Sequence, residues 1–147
     1  MILSKSFGYA LRGILYVAKL QEEGSRKIQI DEIANNLSVP KHFLGKIMQQ
    51  VVKEGLLKST KGPYGGFALT NDTLNTPIIA LVKITDGLDQ FKMCVLKLKY
   101  CNGINPCPLH HEMEQVRGKF LSVFNDTTIG DLVRDSKSDF IKSLAVN

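Results

Sequence analysis

The residues with the most metal and redox chemistry lie in one short segment. All three cysteines of the 147-residue chain, and two of its three histidines, fall within residues 94–111. An odd number of thiols cannot all pair as disulfides, whereas thiolates bind zinc and iron–sulfur clusters, and histidine can replace one thiolate in a cluster. The segment therefore indicates a metal or redox site. Its candidate ligands are Cys94, Cys101, Cys107, His110 and His111.

The spacing of the thiols favours an iron–sulfur cluster over zinc. Six residues separate Cys94 from Cys101, and five separate Cys101 from Cys107. Structural zinc sites prefer cysteine pairs separated by two to four residues, and this segment contains no such pair. Zinc on three thiolates and one histidine is nevertheless the main chemical alternative to the cluster. His110 and His111 follow Cys107 by three and four residues, and on a helix both share its face. Spacing alone does not separate the two histidines, and water or a small thiol is an alternative fourth ligand.

Composition is ordinary for a globular protein and moderately basic. The chain is 44% hydrophobic and 22% charged, with a net charge of +5, so we expect one domain, or one small domain with an extension. The positive charge permits a nucleic-acid partner without requiring one. Charged residues interrupt the apolar N-terminal segment, so we expect neither a membrane span nor a signal peptide. We therefore expect a cytoplasmic protein with reduced thiols.

Apolar residues at helical spacing and clusters of turn residues predict the secondary structure. "KIQI", residues 27–30, is a candidate short strand, and the segments "LLKST" and "FALT" around "KGPYGG" predict a β-hairpin with a glycine-rich tip. The cysteine segment is predicted to be an irregular loop. Helices are predicted at about 4–22, 31–37, 41–54, 76–87 and 108–124, followed by a short helix that begins at a capping box of Thr128 and Asp131.

Helix, tight turn, helix and hairpin is the element order of a winged helix-turn-helix domain. In that arrangement the second helix enters the major groove of DNA and the hairpin, or wing, lies along the backbone. Helical bundles also contain the helix-turn-helix pattern, but its combination with the hairpin favours DNA binding. Wing glycines would admit phosphates, Lys61 would follow a narrow minor groove, and Phe43 is expected to be half-buried. The candidate DNA-binding residues are Lys41, His42, Phe43, Lys46, Gln49, Lys61, Gly62, Tyr64 and Gly65.

The long C-terminal helix carries an apolar stripe with a 3-4-3 spacing, which is typical of helix pairing. We expect its residues, Met113, Val116, Phe120 and Val123, to join two subunits rather than to pack in the core of their own chain. The predicted fold is mostly α with a small β-hairpin wing. Residues 1–74 would form the winged helix-turn-helix domain, with the first helix also at the dimer interface. Residues 75–147 would hold the cluster loop, the dimerisation helix and a frayed polar tail from Ser136.

Five stretches resemble the Rrf2 family of winged-helix transcriptional regulators, the group of IscR, NsrR and CymR. They are "GYALRGILYVA", "IANNLSVPKHFLGKIMQQVVKEGLL", "KGPYGGFAL", "LVKITDGL" and "TTIGDLV". The resemblance implies a homodimer that binds a double-stranded DNA operator. It also implies an iron–sulfur cluster on Cys94, Cys101 and Cys107, and three thiolates with one neutral imidazole would suit a [2Fe–2S] centre. The residue three positions after the last cysteine, His110, would be the fourth ligand.

This chain departs from the family pattern at three positions. Lys61 stands where the wing usually carries arginine, and Gly45 replaces a larger polar residue on the recognition helix. Gly8 stands where other members carry an acidic ligand from the partner subunit. Lysine lacks the planar fork of arginine, and glycine has no ligating side chain, so the third departure also favours His110 as the fourth ligand.

The sequence thus predicts a transcriptional regulator that senses redox state, nitric oxide or iron–sulfur supply through its cluster. Two alternatives stay open. One is a cluster-free or zinc-binding regulator that senses through thiols, and the other is an iron–sulfur electron-transfer protein. No pairing of a nucleophile with a base indicates an enzyme.

Overall fold

The computed structural model describes residues 3–24, 26–135 and 144. The predicted tail from Ser136 therefore lies outside the described residues, apart from Leu144. Helices and one two-stranded sheet make up the described part, which confirms the predicted fold class. The elements are α1 (Lys5–Glu23), α2 (Ile30–Leu37), α3 (Lys41–Lys53), β1 (Leu57–Thr60), β2 (Gly66–Leu69), α4 (Ile78–Thr85), α5 (His110–Asp126) and α6 (Ile129–Arg134), with short 3-10 helices at Thr73–Asn75 and Asp89–Phe91.

Helix α1 is the centre of the core. Its inner residues Ala10, Ile14 and Val17 are fully buried, and the helix packs against α2, α3, α4, α6 and β2. The hydroxyl of its N-cap Ser4 accepts from the Phe7 amide, while its own N–H and hydroxyl donate to the Asp86 carboxylate, each over 2.7 Å. An N-cap of this type satisfies helix amides that would otherwise lack a partner. The start of α1 is therefore fixed to the end of α4.

The turn between α2 and α3 is as tight as predicted. Ser38 adopts a left-handed conformation with φ 56° and ψ 42°, and the Val39 amide donates to the Ala34 carbonyl over 3.1 Å. Pro40 is the N-cap of α3, one residue before the first-turn position expected for it. Leu44 and Met48 of α3 are fully buried beneath the turn, so the opposite face of α3 points outward.

The wing is an antiparallel hairpin in which Leu57 pairs with Leu69 and Thr60 pairs with Gly66. The predicted strand at 27–30 does not form. Ile28 alone makes a bridge to Phe67, through N–H···O contacts of 2.9 and 2.7 Å. Ile30 already begins α2, because the acidic residues after it favour a helix start. The bridge fastens the wing to the segment that precedes α2.

Helix α5 packs one side against its own chain. The Phe120 ring stacks on Phe91 at 5.2 Å and on Phe124 at 4.2 Å, and Phe124 lies 5.9 Å from Phe7 of α1. The expectation that all four stripe residues face away from their own core is therefore wrong for Phe120. The capping box that starts α6 forms as predicted. Within the described ranges, no helix combines the length and apolarity that crossing a membrane requires.

Candidate functional site

The three thiols converge. Their sulfur atoms all lie within 4.8 Å of one another, and Sγ of Cys94 is 3.8 Å from Sγ of Cys107. Two turns bring them together. The first is closed by the Lys97 amide, which donates to the Cys94 carbonyl over 2.9 Å. In the second, the Asn102 side chain accepts from the amides of residues 104 and 105 at 2.8 Å each, which reverses the chain between Cys101 and Cys107.

The structure separates the two histidines. His110 places Nδ1 3.3 Å from Sγ of Cys101, and its side chain is 15% exposed. His111 turns outward with a side chain that is 69% exposed. The two histidines differ because of how α5 begins. The His110 amide donates to the Cys107 carbonyl over 3.0 Å, and this contact holds His110 beside the thiol loop. Spacing left both histidines as candidates, and only His110 lies against a thiol.

Two of the thiols differ in acidity. The backbone N–H of Leu98 hydrogen-bonds the sulfur of Cys94 and is the main reason that its pKa falls to about 7. The Cys107 N–H donates to Cys101 over 3.4 Å and lowers its pKa, but desolvation and the neighbouring thiols outweigh that contact, so the pKa of Cys101 is raised. Because the thiolate is the metal-binding form, Cys94 is the better prepared of these two ligands.

The outward face of α3 presents the candidate DNA-contacting residues of that helix. Lys41, His42, Lys46 and Gln49 are all exposed, with Gly45 between them, since residues three and four positions apart are neighbours on a helix surface. Lys41 is held by Asp31 of α2, with 2.7 Å between Nζ and Oδ1. The face is polar and basic, as an element that enters a DNA groove requires.

Phe43 differs from its prediction. The side chain is 58% exposed rather than half-buried, and its ring stands edge-on to His42 at 6.0 Å. Its neighbour Leu44 takes the core position, so Phe43 is left at the margin of the outward face. An exposed phenylalanine there is available for contact with DNA.

The wing tip exposes Lys61, Gly62 and Tyr64. Gly65, in contrast, is buried, and a Cβ on it would lie 2.0 Å from the Thr60 carbonyl oxygen. The backbone at the tip therefore leaves no room for a side chain at position 65. This packing explains the glycine whether or not the tip approaches DNA phosphates. The tip is also fixed from outside, because the Gln29 side chain donates to the Pro63 carbonyl over 2.8 Å.

A groove separates α3 from the wing. Its helix side is formed by Gly45 and Gln49, its wing side by Thr60 and Lys61, and its floor includes Ile30. The sequence did not indicate Ile30, since that residue was assigned to a strand and no charge or motif marked it. The structure places it at the start of α2, where it lies beneath Gly45.

The structure combines a helix exposed along a basic face, a wing fixed beside it and a loop of converging thiols. Together these features define a winged helix-turn-helix DNA-binding protein with a candidate metal centre. The family model described as Rrf2, iron-dependent transcriptional regulator, matches residues 3–135. The chain belongs to the Rrf2 family of transcriptional regulators, as the sequence predicted, and this family is not one of enzymes.

Individual relatives agree over most of the chain. A putative HTH-type transcriptional regulator of Aquifex aeolicus is 33% identical over 135 residues, covering 90% of this chain and 92% of the relative. The regulator NsrR of Geobacillus kaustophilus is 30% identical over 139 residues, covering 94% and 93%. The structure of CymR, the global cysteine regulator of B. subtilis, superposes with a TM-score of 0.73 at 21% identity, covering 93% and 99%. This last likeness supports the fold.

Proposed function

We propose that the chain is a homodimeric transcriptional regulator whose affinity for its operator depends on an iron–sulfur cluster held by Cys94, Cys101, Cys107 and His110. The carrying observation is the convergence of three thiols with the His110 imidazole at the first turn of α5. Three thiolates and one imidazole are a donor set that suits a [2Fe–2S] centre. When bound, such a group supplies redox chemistry and reactivity toward oxidants and nitric oxide.

A zinc ion is the second candidate occupant, on one specific observation. Four ligands around zinc with bonds of about 2.3 Å place neighbouring sulfurs about 3.8 Å apart, and Sγ of Cys94 lies 3.8 Å from Sγ of Cys107. The spacing along the chain favours the cluster, and this distance fits a single metal ion. Metal and sulfide analysis distinguishes the two.

The path from the thiol loop to α3 runs through packed side chains. Arg117 of α5 donates from Nη1 to the Phe91 carbonyl over 3.0 Å, and Phe120 stacks on the same Phe91. Phe124, one turn further, contacts Phe7 of α1, and α1 packs on α3. A change in how the loop holds α5 would therefore reach α1, the helix that supports the DNA-binding domain, and would alter the position of that domain.

The homodimer would form through the outer side of α5. Val116 is 51% exposed and Val123 is 44% exposed, and they lie on the face of α5 that the chain's own core leaves uncovered. Pairing of this face by two-fold symmetry would set two α3 helices for half-sites one or more helical turns apart. Residues 1–74 would then bind DNA and residues 75–147 would carry the cluster loop and the interface, with the first helix contributing to that interface.

On DNA, α3 would contact bases through His42, Phe43, Lys46 and Gln49, with Lys41 at its start. The exposed basic face supports this role, because Lys41 and Lys46 have the charge and reach for phosphates or guanine edges. The wing would follow the backbone and minor groove. Its contacting residues would be Lys61, Gly62 and Tyr64, and the buried Gly65 would act by allowing the tight tip that presents them.

Anaerobic purification tests the cofactor. We expect visible absorption bands of an iron–sulfur centre, with iron and acid-labile sulfide in the protein, and we expect His110→Ala to lose or shift these bands. His111→Ala is the matched control and keeps the native spectrum, because His111 points away from the thiols. Zinc at one equivalent without sulfide would instead support the second candidate. A His110→Ala protein with native spectra and acid stability would contradict the ligand assignment.

A further inference from the structure

An open notch interrupts the basic face of α3 at Gly45. The notch is lined by Lys41, His42, Lys46 and Gln49 around its rim, and by Gly45 and Ile30 at its base. The nearest heavy atom to a Cβ placed on Gly45, outside its own helix backbone, is Cγ1 of Ile30 at 3.9 Å. Ile30 thus gives the base of the notch an apolar surface, and the missing side chain of Gly45 leaves room for a methyl group in contact with it.

The edges of base pairs in the major groove offer one apolar group. Guanine, cytosine and adenine present donors and acceptors there, whereas thymine adds its C5-methyl group. A phosphate or a base carbonyl would lose hydration against Ile30 without gaining a hydrogen-bond partner. The rim supplies the complementary features, since Lys41 and Lys46 attract the backbone on both sides and Gln49 can pair with an adjacent adenine.

We propose that Gly45 and Ile30 form a specificity pocket for the C5-methyl group of one thymine in each half-site of the operator. This inference rests on the proposed DNA-binding role of α3 and adds the base that it selects. The glycine leaves the space, and Ile30 supplies the apolar contact. In helix-turn-helix proteins the first helix of the motif crosses the DNA backbone. Here the start of that helix, α2, would also take part in base selection.

The test begins with operator selection. Wild-type protein is incubated with a random-sequence duplex library, and the bound sequences define the operator. Each thymine of that operator is then replaced singly by deoxyuridine, which removes the methyl group and nothing else. We expect one thymine in each half-site at which the replacement weakens binding about fourfold, the effect of one buried methyl-sized group. The other thymines should be insensitive.

Two matched variants assign the effect to the notch. Gly45→Ala fills it with a methyl group and keeps the helix, because alanine is a better helix former than glycine and no atom comes closer than 3.9 Å. We expect this variant to bind thymine and deoxyuridine operators with a ratio near one. Gly118→Ala on α5 is the control, since its added Cβ has open space, and it should keep the fourfold ratio.

The outcomes separate this inference from the proposed function. If the library yields no preferred sequence, the proposed DNA-binding role fails and the pocket with it. If an operator is found but no thymine is sensitive to deoxyuridine, the pocket alone is refuted. It is also refuted if Gly45→Ala keeps the thymine preference, or if this variant weakens both operators equally, which would mean that Gly45 only allows the backbone to come close.

Discussion

Substitution of Val116 by aspartate tests the assembly of the dimer most directly. Val116 is on the uncovered face of α5 and is half exposed in the single chain, so the folded subunit loses little when it changes. In the proposed dimer the remaining half of the side chain is buried. Because a two-fold interface contains each residue twice, the lost apolar contact amounts to about 2 kcal/mol for the pair.

The introduced charges add to this loss. Two carboxylates would be taken out of water within an apolar seam and would repel each other, which costs at least about 2 kcal/mol more. Together these effects correspond to a rise of about a thousandfold in the dimer dissociation constant. Phe120→Asp is a poorer test, because Phe120 stacks within its own chain and its loss would destabilise the subunit itself.

Light scattering across a concentration series measures the oligomeric state, and circular dichroism checks that the subunit is folded. We expect Val116→Asp to be a folded monomer. Gln115→Asp, one residue away on an exposed position of the same helix, introduces the same charge off the stripe and should stay dimeric. A Val116→Asp protein that stays dimeric at the same concentrations as the wild type would refute the use of this face.

Three further predictions concern the wing and helix α2. Lys61→Ala should weaken binding across related DNA sequences and lower the slope of log affinity against log salt by about one, with Lys83→Ala at an exposed position of α4 as control; unchanged affinity at several salt concentrations would rule out the wing role. Gly65→Ala should lower the free energy of unfolding in urea by about 2 kcal/mol, because its Cβ would collide with a backbone carbonyl, and stability equal to the wild type would contradict that geometry. Glu32 has its pKa lowered chiefly by a hydrogen bond from Arg26, so its contribution to stability is present above the ordinary glutamate pKa and is lost as the pH falls through the lowered one. Glu32→Gln should therefore reduce the melting temperature slightly at pH 7 and match the wild type once the pH lies well below that lowered pKa, whereas a gap that persists there would disprove the assignment.

Most elements of the fold follow from local patterns in the sequence. The helix bounds and the capping box were predictable because apolar periodicity and cap chemistry act within a few residues. The strand expected at 27–30 failed because its alternation of apolar residues competes with the acidic start of α2, and only Ile28 is paired by the wing. A pairing of that kind depends on a residue almost forty positions away, which local patterns do not contain.

Local patterns in the sequence also left part of the candidate site undecided. Clustered thiols in the sequence pointed to a shared site, and the family resemblance favoured His110 over His111. Spacing alone did not separate the two histidines, because their different exposure depends on the direction of the first turn of α5. The exposure of Phe43 and the inward stacking of Phe120 depend on which neighbour takes the core position. Periodicity gives the face of a helix but leaves residues at the edge of that face undecided.

The attachment of the wing has a consequence for how an operator is discriminated. The bridge from Ile28 to Phe67 and the hydrogen bond from Gln29 to Pro63 fasten the wing to the segment that leads into α2, and the tight turn at Ser38 fastens α2 to α3. These contacts join the wing, α2 and α3 into one packed unit. In a dimer, a signal from the thiol loop would alter the distance and angle between two such units while each keeps its shape. Under the proposed function, such a protein would respond to the distance between two half-sites, and the sequence selected within each half-site would stay the same before and after the signal.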